Sequence, residues 1–528
     1  MKKAILLFFL PTILFAQKPK LVVGIVIDQM RYEMLERYSS TFGENGFKKL
    51  QAEGFSFNNC NYNYIPTYTG PGHATIFSGQ NPKKHGIISN DWYVPQTGKM
   101  VYCVEDNKVK TVGSKDKNGN RSPRNYKSPS LADLVKQSDK SKSFGVSIKD
   151  RGAILPAGKN ASGAFWLDSE NNFVTSTYYS KALPIWLSAF NESKYASQYL
   201  ATTWDLSLPA EKYTASDVDF RKCESTSLKK EPIFPYNLEE ISEKKGAETI
   251  RYTPFGNTLL TDVAIELMKN EALGKDEHTD FFSISYSATD YAGHAFGPRS
   301  VEVQDMYIKL DLEIERLINY LDSEVGKGQY TLFLTSDHGA VDCPGTKTNP
   351  AEYVIRGDLK SAIDSISLAE FGSKIVSKVS NFQIWLDHDL IEKLFLNLDD
   401  VAFIMVEKLK EYKGGRVITR GWTQNDLLEC DQPTCEQFKR TYKENQSGDV
   451  FFMTAESYLI NSNQVGTSHG TGYSYDTHVP LLIYGWNVTP GSSNENIIVQ
   501  DIAPTLHGLL KLNTNTSFDG ENRRNLMN

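Results

Sequence analysis

Leu21-Val22-Val23-Gly24-Ile25-Val26-Ile27-Asp28 is an apolar run, rich in β-branched residues, that stops at a carboxylate. A strand wetted on one face alternates apolar with polar residues; a run without alternation is covered on both faces, as in a parallel sheet flanked by helices. Ligands of such sheets gather beyond the carboxyl ends of strands, so Asp28 stands either at a reaction centre or as a turn or capping residue. The pattern recurs along the chain. A strand from Ser143 to Ile148 leads into Lys149-Asp150-Arg151, one from Asp280 to Tyr286 into Asp290-Tyr291-Ala292-Gly293-His294, and one from Tyr330 to Ser336 into Asp337-His338-Gly339. Between the last two, Val303, Met306, Tyr307, Leu310, Ile314, Leu317, Ile318 and Leu321 recur at helical spacing, which predicts a long amphipathic helix packed on the sheet. Strand-helix-strand units of this kind imply the α/β class, with a doubly wound, mostly parallel sheet and helices on both faces.

Further out, Phe47 to Glu53 reads as a short helix, Phe55 to Cys60 as a strand, Thr258 to Leu273 as an amphipathic helix, Val479 to Tyr484 as a buried strand and Ile498 to Leu510 as a helix. Residues 108–127 are polar and glycine-containing and read as an exposed loop. Two stretches, about 192–255 and about 345–450, show weaker sheet signals and read as insertions, the second as a cap.

The amino terminus reads Met1-Lys2-Lys3, an apolar run from Ala4 to Phe15, then Ala16, the pattern of a secretory signal cleaved after Ala16. The catalytic domain is then expected over 17–528. The apolar run is short for a bilayer, and no later stretch approaches a transmembrane helix. The formal charge of −7 becomes more negative without Lys2 and Lys3, which argues against nucleic acid as a partner. Six cysteines in an exported chain can form three disulfides. Cys430 and Cys435 flank a short polar loop and are the expected pair; Cys60, Cys103, Cys223 and Cys343 leave three pairings open.

Chemistry concentrates around Tyr64-Ile65-Pro66-Thr67-Tyr68-Thr69-Gly70-Pro71-Gly72-His73-Ala74. Gly70 and Gly72 remove bulk beside the Thr69 hydroxyl, and Pro71 suits a first helical turn, so Thr69 is expected at a helix N-terminus, where an anion is stabilised. A Gly-Pro turn with a capping threonine is the plainer alternative. Asn90 could reach back toward Thr69, and Lys149 and Arg151 could grip an anion from one side. Asp28, Asp290, His294, Asp337, His338 and His469 supply two three-residue ligand sets. Oxygen and imidazole donors without thiolates suit zinc, with manganese or iron as substitutes.

On Thr69-Gly70-Pro71-Gly72-His73, Asn90, Lys149-Asp150-Arg151, Asp290 with His294, Asp337-His338-Gly339 and His469-Gly470, the chain resembles the alkaline phosphatase superfamily. More narrowly it is similar to the monomeric, phosphate-irrepressible alkaline phosphatases of the bacterial periplasm. The resemblance implies a threonine nucleophile and two zinc ions, one held by Asp28, Asp337 and His338 with Thr69, the other by Asp290, His294 and His469. It implies that Asn90, Lys149 and Arg151 contact the phosphoryl oxygens of small phosphate monoesters, and that the protein is a periplasmic or secreted monomer. The alternatives are a nucleotide pyrophosphatase or phosphodiesterase of the same superfamily and a non-enzymatic anion-binding protein. His478 is the rival to His469, which is preferred because His469-Gly470 matches the motif. His73 is expected to pack or hydrogen-bond behind the nucleophile loop.

Overall fold

A computed structural model describes residues 18–136 and 140–527. The proposed signal segment, residues 1–16, lies outside them. The central strands and helices are β1 Leu21–Ile27, β2 Phe55–Asn61, α1 Thr69–Ser78, β3 Ser143–Ser147, α2 Asp150–Ala157, β4 Gly163–Leu167, α3 Pro254–Asn270, β5 Asp280–Tyr286, α4 Ala288–Phe296, α5 Val301–Leu321, β6 Tyr330–Thr335, β7 His478–Gly485 and α6 Ile502–Leu509. They build an 11-stranded sheet whose centre runs β2-β7-β6-β1-β5-β3-β4. Pairing is parallel from β6 through β1, β5 and β3 to β4, and antiparallel where β7 joins β6 and β2.

Every residue of β1 is buried, as its sequence demands, because its two sets of side chains enter different cores. Leu21, Val23, Ile25 and Ile27 pack with α3 and α5 residues such as Leu260, Val263, Ile314 and Leu317. Val22 and Val26 pack on the other face with Ile76 and Phe77 of α1 and Ile502 and Leu506 of α6. The register sets Ile27 beside Tyr286 and Val26 beside Thr335. Residues just past β6, β1, β5 and β3 therefore converge at one edge of the sheet, and these are the chemistry-bearing ones.

The segment read as a cap has its own core, in which Ile384, Met405, Leu409, Trp422, Phe438 and Phe451 bury one another. Its four-stranded sheet comprises Val376–Ser380, Gln383–Leu386, Ile418–Thr423 and Val450–Thr454, and a further strand, Leu459–Asn461, pairs with Tyr353–Ile355. It thus reaches past the expected limit at 450, because the buried strand Val450–Thr454 belongs to this sheet. The stretch 192–255 adds helices and a small hairpin to the main core: Trp204 donates to Asp305 at 2.7 Å and Tyr236 to Glu302 at 2.6 Å, both acceptors on α5. Residues 108–127 are not simply an exposed loop. Thr111–Val112 pairs with Phe173–Ser176 at the sheet edge, and the buried Tyr126 hydroxyl donates to the Ala74 carbonyl of α1. Cys430 and Cys435 are disulfide-bonded, and no helix among the described residues is long and apolar enough to cross a membrane.

Candidate active site

Thr69 is the first residue of α1, with Tyr68 in extended conformation before it, so its hydroxyl stands at the positive end of the helix. The helix sits this close to the sheet only because Gly72 lacks a side chain: a Cβ there would lie 2.3 Å from the carbonyl oxygen of Asp337. His73, one turn on, bonds the Thr69 carbonyl through Nδ1 and the Ser285 hydroxyl through Nε2, both at 2.8 Å. It packs behind the loop, as expected. Asn90 accepts from the Gly70 amide at 2.7 Å. The cap also grips the nucleophile loop, since the Ile65 amide donates to Gln437 O at 3.2 Å and the Thr441 hydroxyl to Ile65 O.

The strand ends deliver the remaining groups. Asp28 follows β1, Asp337 and His338 follow β6, and Asp290 with His294 lies on α4 just past β5. His469, from the loop before β7, completes the cluster. Donor atoms of Asp28, Asp337 and His338 lie within 4.8 Å of one another, and so do those of Asp290, His338 and His469. His294 Nε2 lies 3.2 Å from Asp290 Oδ1. His338 stands between the two expected sets, its ring stacked on that of His469 at 3.4 Å between centroids.

The donor chemistry fits divalent metal ions. The Nδ1 atoms of His294, His338 and His469 face the carbonyl oxygens of Thr467, Gly339 and Thr67 at 2.8, 2.9 and 2.7 Å. A carbonyl only accepts, so each Nδ1 carries the proton and each Nε2 offers a lone pair. Burial pushes His338 down to about 3, keeping it neutral. Asp28 Oδ1 and Asp337 Oδ2 are buried and have no hydrogen-bond partner. Burial, then the neighbouring Asp28 carboxylate, pushes the Asp337 carboxyl well above the usual range. Buried, uncompensated carboxylate oxygens of this kind call for a cation.

Lys149 and Arg151 divide the work differently from the sequence expectation that both face an anion. Lys149 Nζ bridges Asp28 Oδ2 at 2.6 Å and Asp290 Oδ2 at 2.5 Å. Burial would lower its proton affinity, but the two carboxylates outweigh it and hold the ammonium charged. Arg151 points at the nucleophile: its Nη2 donates to Thr69 Oγ1 at 3.3 Å and its Nη1 to the Tyr102 hydroxyl at 3.1 Å. His338 Nε2 is also 3.3 Å from Thr69 Oγ1. His478, the rival of His469, lies elsewhere, stacked on Tyr32 with its Nε2 on the Asn58 carbonyl.

Two supporting residues escaped the sequence reading. Gln29 gives its amide to Asp337 Oδ1 at 3.2 Å and its Nε2 to Asp290 Oδ1 at 2.8 Å, in a left-handed conformation with φ of 69°. A non-glycine residue held there directly after a strand-end aspartate marks stored strain at a functional site. Asp476 accepts from the Gly470 amide, the Thr471 amide and the Thr471 hydroxyl at 3.1, 2.8 and 2.6 Å, shaping the loop that presents His469. Adjacency to Asp28 was the available signal for Gln29; for Asp476 there was none, because its role depends on a turn.

Residues 22–471 match the family described as type I phosphodiesterase / nucleotide pyrophosphatase. The chain is 40% identical over 509 residues to alkaline phosphatase PafA of Elizabethkingia meningoseptica, covering 94% of this chain and 92% of that one. It is 37% identical over 502 residues to alkaline phosphatase PhoV of Synechococcus elongatus, covering 94% and 90%. The crystal structure of wild-type PafA superposes with a TM-score of 0.92 at 38% identity, over 97% of this chain and 99% of that one. The chain therefore belongs to the type I phosphodiesterase / nucleotide pyrophosphatase family, within the alkaline phosphatase superfamily.

Proposed function

We propose that the protein is an exported, metal-dependent alkaline phosphatase that hydrolyses small phosphate monoesters through a phosphorylated Thr69. The observation that carries this reading is the position of the Thr69 hydroxyl, at a helix N-terminus and 3.3 Å from both Arg151 Nη2 and His338 Nε2, beside two sets of metal-ligand donors. The likeness to two curated alkaline phosphatases along nearly the whole chain supports it.

Asp28, Asp337 and His338, with Thr69, would hold one divalent ion, and Asp290, His294 and His469 the other; zinc suits these donors, with manganese or iron as substitutes. Bound there, the ions supply Lewis acidity that lowers hydroxyl and water pKa values and neutralises charge on entering and leaving oxygens. The protein groups do the rest. Thr69 Oγ1 attacks phosphorus in line as its proton departs, and the ester oxygen leaves with the alcohol. Water then attacks the phosphothreonine, releasing inorganic phosphate and restoring the hydroxyl. Arg151 and the Asn90 side chain orient the equatorial oxygens, and Lys149 adds positive charge beside them. A diester, the substrate class in the matching family's description, carries an ester group on one of those oxygens and leaves fewer for Arg151 and Lys149.

The decisive experiment is hydrolysis of a monoester and a diester with one leaving group by protein of known metal content, with acid trapping and peptide mapping of the phosphorylated residue. Faster monoester turnover and phosphate on Thr69 are expected. Dominant diester turnover establishes the phosphodiesterase alternative instead.

A further inference from the structure

A cleft of about 940 Å³ opens from the reaction centre toward the cap, lined on one wall by Asn90, His294 and His469 and on the other by Arg356, Lys378 and Phe382. The catalytic wall accounts for the phosphoryl group; the cap wall faces whatever the phosphoryl group is attached to. Arg356 and Lys378 make no ion pair with a carboxylate among the described residues, whereas their neighbour Lys360 is committed to Asp364. Arg356 lines the same cleft as Tyr68, the residue before the nucleophile. Two acids line the cleft near the catalytic groups, Asp91 and Asp476, and burial holds both above the usual carboxylate range. Two free cations set beyond the phosphoryl site favour a leaving group that carries charge of its own.

We propose that the cap wall selects phosphate monoesters whose leaving group bears a second anionic group, a carboxylate or another phosphate, with Arg356 and Lys378 as the specificity-determining pair. This rests on the phosphomonoesterase reading above. The test compares 3-carboxyphenyl phosphate with its neutral match, 3-carbamoylphenyl phosphate, on wild type and on Arg356→Ala/Lys378→Ala. Partly exposed pairs contribute about 0.2–1 kcal/mol each, so with two cations kcat/KM should favour the carboxylate ester by roughly 2- to 30-fold in wild type, less so at high salt. The double variant should bring the ratio to about one. A ratio near one in wild type, or one the double variant leaves unchanged, overturns the subsite. Failure of wild type to hydrolyse either ester overturns the phosphomonoesterase reading instead.

A different observation concerns the cysteines. Cys223 and Cys343 are neighbouring, buried free thiols, and a Cβ on Gly297 would lie 2.5 Å from Cys343 Sγ and 3.2 Å from the guanidinium of Arg221, two residues before Cys223. Cys223 lies in a loop wrapped around the site: Ser225 N donates to Ala295 O, and Arg221 to Phe296 O, at the end of the helix bearing His294. The Cys223 carbonyl accepts from Gly466, three residues before His469. Cys343 follows Asp337-His338. Thiols so placed in an exported chain are a disulfide site. We infer that Cys223 and Cys343 form a disulfide tying the 221–225 loop, which hydrogen-bonds the end of α4 and the segment before His469, to the segment that follows His338. The two thiols lose two protons and two electrons to a disulfide-bearing oxidoreductase, whose own S–S bond becomes two thiols, before folding buries them. Protein from the exported fraction, alkylated in denaturant without reductant and mapped by mass, should carry label on Cys60 and Cys103 alone. Label on Cys223 and Cys343, whether or not Cys430 and Cys435 are linked, overturns the pairing.

Discussion

Removing the Arg151 guanidinium isolates what the site does for a phosphoryl dianion. Lys149 is the poorer choice, since Asp28 and Asp290 would face each other without their shared cation and metal binding would change along with substrate binding. Arg151 touches neither carboxylate; it reaches the Thr69 hydroxyl and Tyr102, and its Nε is buried without a partner. Its Nη2, on the Thr69 hydroxyl, is placed to meet a phosphoryl group transferred to that oxygen. Hydrogen bonds to charged groups contribute about 1.5–3 kcal/mol each. Arg151→Ala should therefore lower kcat/KM for a monoester by about 10- to 150-fold, at 1.4 kcal/mol per tenfold. A diester with the same leaving group should lose less than about fivefold, because one equatorial oxygen is esterified and its charge is lower. The assay is steady-state hydrolysis of both esters at matched metal occupancy, measured on the same protein batches. Equal losses on the two would falsify the assignment of monoester preference to this guanidinium and favour the phosphodiesterase reading.

Chelation should abolish activity and added zinc restore it, as the buried, unpartnered oxygens of Asp28 and Asp337 require; full turnover by protein shown to be metal-free refutes the two-ion assignment. Thr69→Ala should keep its metal, read by elemental analysis, yet lose at least about 10³-fold in kcat, an order of magnitude typical of losing a nucleophile. His469→Ala should lose bound metal and His478→Ala should not, since His478 is engaged with Tyr32 and Asn58; the opposite pattern would make His478 the ligand. Gly72→Ala places a methyl 2.3 Å from Asp337 O, so a loss of about 1–3 kcal/mol in denaturant unfolding is expected, with kcat falling as the helix shifts. Unchanged stability would show that the helix can move without cost.

Periodicity and strand-end chemistry were enough for the architecture. A continuous apolar run such as Leu21 to Ile27 can be buried only between two layers, and the spacing from Val303 to Leu321 has one helical face, so sheet type, the long helix and the placement of Asp28, Asp290 and Asp337 were all legible. These are local properties: each depends on residues within a few turns or strand lengths of one another. The Thr69 turn was legible for the same reason, because glycines and a proline state their backbone requirements directly. What required the folded chain was every distance between separated segments. Lys149 and Arg151 are two residues apart in sequence, yet only the convergence of β1, β5 and β3 shows that one bridges two aspartates while the other faces the nucleophile. The supporting roles of Gln29 and Asp476, the cap's continuation to Asn461 and the meeting of Cys223 with Cys343 were likewise decided by tertiary packing. Local propensity constrains a residue's own backbone and burial; which distant group its side chain meets is set by strand order and helix packing, which no single segment encodes.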